Sequence, residues 1–162
     1  MIYEIYSDGS SLGNPSPHCG CGWVILKDKK LINMNSEYIP DATNNIAEMR
    51  GVINGLEEVN KLIEENNSFE MHEIIVYSDS AYIVNCINNK WFVNWNKNNW
   101  RTSKGTPVKN KELWEKILEL YDPSTTTFKK VKGHSGNEYN EMADSLATNA
   151  SRSEGRDIIE NC

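Results

Sequence analysis

The sequence predicts an α/β fold: three strands close together in an antiparallel meander, followed by strands separated by helices and paired in parallel. Three observations carry this reading. Short apolar runs crowd the first 35 residues, with only turn-forming residues between them. A helical apolar repeat then separates the third run from a fourth. The first and fourth runs also end alike, in "IYSDGS" and "VYSDSA", as neighbouring parallel strands leaving one sheet edge would.

Residues 2–7 read as the first strand, and a Gly/Ser/Asn/Pro loop follows from Gly9 to Pro17. Gly22–Lys27 and Lys30–Asn35 read as the next two strands, joined by a charged turn. Thr43 is the expected N-cap of a helix in which Ile46, Met49, Ile53, Leu56 and Ile63 recur at helical spacing. The helix fades in the polar stretch 64–70, and Glu73–Ser78 forms the fourth strand. A short helix starts at Ser80. Leu113, Ile117, Leu118 and Tyr121 mark another, which Asp122-Pro123 ends. A fifth strand begins at Thr126, and Met142, Ala143, Leu146, Ala147 and Ala150 line a final helix. The 162 residues fit one domain at 1–150 with a polar C-terminal tail at 151–162.

Composition narrows the function. No run approaches the roughly 18 apolar residues of a membrane span, and no basic-then-apolar leader opens the chain, so the expected location is cytoplasmic. Four cysteines lack any Cys-x-x-Cys pair. His18, Cys19 and Cys21 have no distant second pair of ligands, so they read as small residues in a glycine-rich strand rather than a zinc site. The net charge of −6 hides a local bias. From Lys90 to Trp114, six cations face one acid, which makes that segment +5 and the remainder −11.

Asp8 and Asp79 follow the two Tyr-Ser endings, where α/β folds place ligands. Glu48 is expected in the first turn of the long helix, and Asp144 in the last helix. Taken singly, each has an ordinary explanation: turns favour Asp, helix starts favour Glu, and Asp144 could be solvated. Brought together, four carboxylates repel one another and call for divalent cations. An all-oxygen donor set suits Mg²⁺ or Mn²⁺.

Five ordered blocks then carry a resemblance: "YSDGSSLGNPSP", "TNNIAEMRGVINGL", "YSDSAYIVNCI", "WFVNWNKNNWRTSKGTPVKNKELW" and "VKGHSGNEYNEMADSLA". Together they resemble the successive motifs of type 1 ribonuclease H. The resemblance implies a ribonuclease H-like fold, a mixed five-stranded sheet with flanking helices. It implies an endonuclease that hydrolyses the RNA strand of RNA/DNA hybrids with two Mg²⁺ ions, Mn²⁺ being a substitute, and leaves 5′-phosphate and 3′-hydroxyl ends. Asp8, Glu48, Asp79 and Asp144 match the metal-binding carboxylates. By that analogy Asp8 bridges the ions, Asp144 serves the water side, and Glu48 and Asp79 serve the leaving 3′ oxygen. His134 matches a mobile-loop histidine with a role in proton transfer or product release.

Affinity for a hybrid comes mainly from phosphates. Trp91, Trp95 and Trp100 alternate with Lys97, Arg101 and Lys104 in the segment that forms a basic, DNA-gripping handle in the family. Some of these rings are expected to pack while the cations face the groove. "NWNKNNW" carries a single lysine, so weaker or more salt-sensitive binding is expected than in relatives with a strongly basic handle. Asn14, Asn44 and Asn45 match residues that approach the minor groove, where an amide can test a 2′-hydroxyl. Thr43 and Asn110 match a pocket for a DNA-strand phosphate. Ala81 and Ile46 depart from the common glutamine and arginine. The expected partner is an RNA/DNA hybrid, bound by a monomer with no membrane. Two rivals come from other classes: a duplex-binding module without catalysis, and a DNA nuclease of the same broad fold.

Overall fold

Five strands form a single sheet in the order β3-β2-β1-β4-β5. The computed structural model describes residues 1–13, 16–66, 71–102, 104–131 and 137–153. The meander is β1 (Ile2–Ser11), β2 (Ser16–Lys27) and β3 (Lys30–Ala42), all antiparallel. β4 (Glu73–Ser78) runs parallel to β1, and β5 (Thr126–Lys130) runs parallel to β4. The mixed sheet expected from the sequence is therefore present. Asp28 and Lys29 join β2 to β3 with positive φ at both positions, the backbone that a two-residue hairpin needs.

The helices are α1 (Asn44–Asn66), α2 (Ala81–Asn88), α3 (Trp91–Lys97), α4 (Lys111–Leu120) and α5 (Glu138–Ser153). Thr43 caps α1 as expected: its Oγ1 accepts from the Ile46 backbone N–H at 3.2 Å. Ser80 caps α2 in the same way through Ile83. Such a cap is worth about 1 kcal/mol. α1 buries Met49, Ile53 and Leu56 against β1 and β2, and each fully buried side chain contributes roughly 2 kcal/mol. α5 covers the other face, with Ala143 and Ala147 buried over β2.

The strands outrun their sequence-predicted ends. β1 passes through Asp8 to Ser11, because Asp8 pairs with Gly22 and Ser11 with Cys19. The loop expected from Gly9 to Pro17 shrinks accordingly. β3 reaches Ala42 by the same pairing. Ladder hydrogen bonds offset the low strand propensity of these Gly, Ser and Asp residues. α5 likewise runs to Ser153, and Ser151 is fully buried, so the last helix passes the point where the sequence suggests a tail. Among the described residues, no helix is long and apolar enough to cross a membrane.

Candidate active site

The parallel pairing of β1 with β4 ends at Ser7 opposite Ser78. The next residue on each strand is an aspartate, so Asp8 and Asp79 emerge side by side. The twin Tyr-Ser-Asp endings are thus one structural feature seen twice. Asp8 is not a strand end, however. It remains paired with Gly22 and is 4 % exposed; only β4 stops here.

Glu48 reaches the same point from α1. It lies in the second turn, not the first, because the helix begins at Asn44. Single ligand oxygens of Asp8, Glu48 and Asp79 all lie within 4.8 Å of one another. Asp144, in the middle of α5, comes close enough to the Asp8 side chain, from the other face of the sheet, to raise its affinity for a proton. The four carboxylates named from the sequence therefore share one neighbourhood, supplied by two strands and two helices.

Their electrostatics reflect the crowding. Burial, then the charge of Asp79 and the neighbouring Asp144, push the Asp8 carboxyl up to about 8. Burial first, and then Asp8 and Asp79, hold Glu48 well above the usual carboxylate range. Asp8 and Glu48 are coupled, so burial and mutual repulsion hold the pair toward its protonated form. Opposing this, the Gly9 N–H donates to Asp8 Oδ1 at 2.9 Å.

These residues fit a divalent cation. The donors are all hard oxygens. Glu48 Oε2 is sealed from solvent with no hydrogen-bond partner, an orphan that a cation would satisfy. Thiol ligation does not compete: burial pushes Cys21 and Cys86 up to about 12, which keeps them protonated. His18 Nδ1 lies 2.9 Å from the Tyr38 hydroxyl, in keeping with a structural role.

The aromatic-basic segment divides its labour. Trp114 is fully buried and donates through Nε1 to the Tyr82 hydroxyl at 3.0 Å. Trp95 packs between Trp100 and Trp114, with ring centroids 5.8 Å from each. Trp91 remains 37 % exposed. It lines, with Asn94, Asn98, Arg101, Thr106 and Lys109, an open groove of about 500 Å³. Lys97, Arg101 and Lys104 are exposed, and Arg101 Nη1 donates to the Gly105 carbonyl at 2.9 Å. Asn99, Trp100 and Asn110 all hold positive φ, so this arm is built from tight turns. Asn44 and Asn45 are exposed at the start of α1, and Asn110 is half-buried at the start of α4. Ala81 is the exposed first residue of α2, and Ile46 packs on a small patch with Cys19, Ala42 and Ala47. Asn14 and His134 lie outside the described residues.

One contributor was absent from the sequence reading. Gly9 supplies a backbone donor to Asp8, and it touches the helix turn that bears Glu48. The available signal was the placement of Gly51 and Gly55 three and seven residues after Glu48, on the same helix face.

Fold and site together define a mixed α/β sheet that carries a cluster of carboxylates able to hold a divalent cation. The RNase H family model matches residues 2–152. The chain is 44 % identical over 147 residues to the Ribonuclease H of Clostridium botulinum, covering 90 % of this chain and 93 % of that protein. It is 40 % identical over 148 residues to the Ribonuclease H of Caldanaerobacter subterraneus subsp. tengcongensis, covering 91 % and 89 %. Among solved structures, LC11-RNase H1 in complex with an RNA/DNA hybrid superposes with a TM-score of 0.71 at 27 % identity, covering 93 % of this chain and 97 % of that one. The chain belongs to the ribonuclease H family.

Proposed function

We propose that this protein is a metal-dependent endoribonuclease that hydrolyses the RNA strand of RNA/DNA hybrids, giving 5′-phosphate and 3′-hydroxyl ends. The observation that carries the reading is the meeting of Asp8, Glu48 and Asp79, with Asp144 beside Asp8, in a chain of this family. These four side chains would hold two Mg²⁺ ions, or Mn²⁺ in their place; when bound, the ions offset the cluster's charge, activate water and stabilise the leaving oxygen in phosphoryl transfer.

The chain's own residues divide the remaining work. Asp8 lies nearest the middle of the cluster, with Glu48 and Asp79 on one side and Asp144 on the other, and would be a ligand common to both ions. Asp144 serves the water side, and Glu48 and Asp79 serve the leaving 3′ oxygen. The Gly9 N–H fixes the orientation of the Asp8 carboxylate. His134 moves a proton or assists product release. Lys97, Arg101 and Lys104 contact DNA-strand phosphates, while Trp91, Trp95 and Trp100 shape the surface that holds them. Asn14, Asn44 and Asn45 sense the 2′-hydroxyl. Thr43 and Asn110 hold a phosphate. The Thr43 Oγ1 already accepts from Ile46, and its O–H is left to donate.

The enzyme acts as a monomer in the cytoplasm, with residues 1–150 as its catalytic unit. The buried thiols of Cys21 and Cys86 support a reducing compartment. The test is a cleavage panel with Mg²⁺ and labelled RNA/DNA, RNA/RNA and DNA/DNA duplexes. The expected result is cutting of the RNA strand of the hybrid alone. Cleavage of DNA/DNA would favour a DNA nuclease, and binding without cleavage would favour an inactive duplex-binding module.

A further inference from the structure

The seam between α1 and β1 is lined by glycines in a fixed register with the carboxylates. Gly9 follows Asp8 on β1. A Cβ there would collide with the Glu48 backbone nitrogen and stand 2.6 Å from the Ala47 carbonyl carbon and 2.9 Å from the Ala47 Cβ. Gly51, three residues after Glu48, would place a Cβ 3.1 Å from the Asp8 carbonyl oxygen and 3.4 Å from the Ser7 Cβ. Gly55, one turn further on, would place a Cβ 2.5 Å from Ile5 Cγ2. One face of α1, Glu48-Gly51-Gly55, therefore descends β1 past Gly9, Asp8 and Ile5 with no side chain between the two backbones.

We infer that Gly9 and Gly51 are positioning residues: they let the second turn of α1 close on β1 so that the Glu48 carboxylate reaches Asp8. The reason is geometric. At Gly9 and Gly51 the obstructing atoms belong to backbone, which cannot rotate away as a flexible side chain can. A Cβ at Gly9 must displace the helix turn carrying Glu48, and one at Gly51 must displace the strand at Asp8. A metal site tolerates little such movement, because ligand distances hold within about 0.2 Å. Gly55 belongs to the same seam but meets only the side chain of Ile5, a core residue three positions before Asp8, and no backbone atom of a ligand.

This inference rests on reading the carboxylate cluster as a divalent-cation site. Its test measures two quantities that a purely structural role would keep in step. Gly9→Ala, Gly51→Ala and Gly55→Ala are each titrated with Mn²⁺ alone by calorimetry, and each is melted in chelator. Gly55→Ala should melt lower than Gly51→Ala, since it meets the tighter obstruction, a stiff β-branched methyl. Its Mn²⁺ affinity should match wild type. Gly51→Ala should keep most of its stability and bind Mn²⁺ several-fold more weakly. Gly9→Ala should lose about tenfold or more in affinity, the range seen when the support of a metal ligand is removed. Gly51→Ala lies in the helix interior, where alanine is the better helix former, so it keeps the test informative should Gly9→Ala not fold. Affinity losses that simply follow the melting temperatures, or a Gly51→Ala affinity equal to wild type, would overturn the positioning role. Wild-type protein that takes up no Mn²⁺ would instead overturn the metal-site reading beneath it.

Discussion

The carboxylate cluster and the arm from Lys90 to Lys111 handle charge in opposite ways. In the cluster, like charges are packed at the end of a buried strand, and Asp8 and Glu48 are forced toward their protonated forms. In the arm, cations of one sign stand in solvent on a frame of packed tryptophans. Buried like charges interact strongly because little water screens them, whereas exposed cations are individually weak and answer to salt. The contrast teaches where sensitivity lies. Chemistry depends on a few residues that cannot be exchanged, and binding is spread over many that can.

The comparison breaks first at Asp8. Asp8→Asn keeps the shape of the side chain and removes the charge shared by both ion positions. Its hybrid-cleavage rate should fall by roughly three orders of magnitude or more, as when one member of a catalytic unit is lost. Folding should survive, since the substitution relieves repulsion. A mutant that cuts at the wild-type rate would dissolve the distinction between cluster and arm. A smaller effect is expected at Lys97, an exposed cation in the last turn of α3. Lys97→Ala should raise KM a few-fold with kcat unchanged. It should also reduce the slope of log affinity against log salt by about one. A loss in kcat of the same size as the change in KM would mean that the arm takes part in chemistry.

Much of this was legible in the sequence because the decisive signals were local. The repeated Tyr-Ser-Asp ending identified the parallel pair, and Ser7 does face Ser78. Thr43 announced the start of α1, and the 3.6-residue apolar repeat picked out Met49, Ile53 and Leu56 as core. Pairing was less legible. Asp8–Ser11 and the Gly-rich start of β2 become strand only because each is the other's partner, which propensity does not encode. The position of Glu48 in the second turn, by contrast, was already set by Thr43 as the cap, since a helix that starts at Asn44 makes Glu48 its fifth residue. The glycine seam was invisible for a further reason. A glycine records close approach only once its neighbour across the seam is known, and Gly9 and Glu48 are far apart in sequence. The packing of Trp95 and Trp114, in contrast with the exposure of Trp91, likewise needed the tertiary contacts.

The smallest expected effect tests the central claim most directly, because it detects convergence without substrate. A carboxyl raised from 3.8 to about 8 keeps in the folded state a proton that the unfolded chain releases. Stability from that source is complete below the unfolded value and drains away as pH rises toward 8. Metal-free wild type should therefore lose stability between pH 5 and pH 8 relative to Asp8→Asn. The relative loss should be about 5 °C in melting temperature, corresponding to a few kcal/mol or less for a chain of this size. Mg²⁺ at pH 8 should restore the wild type and leave Asp8→Asn nearly unmoved. Identical pH profiles for the two proteins, together with no response of the wild type to Mg²⁺, would contradict a shared cation site formed by Asp8, Glu48, Asp79 and Asp144.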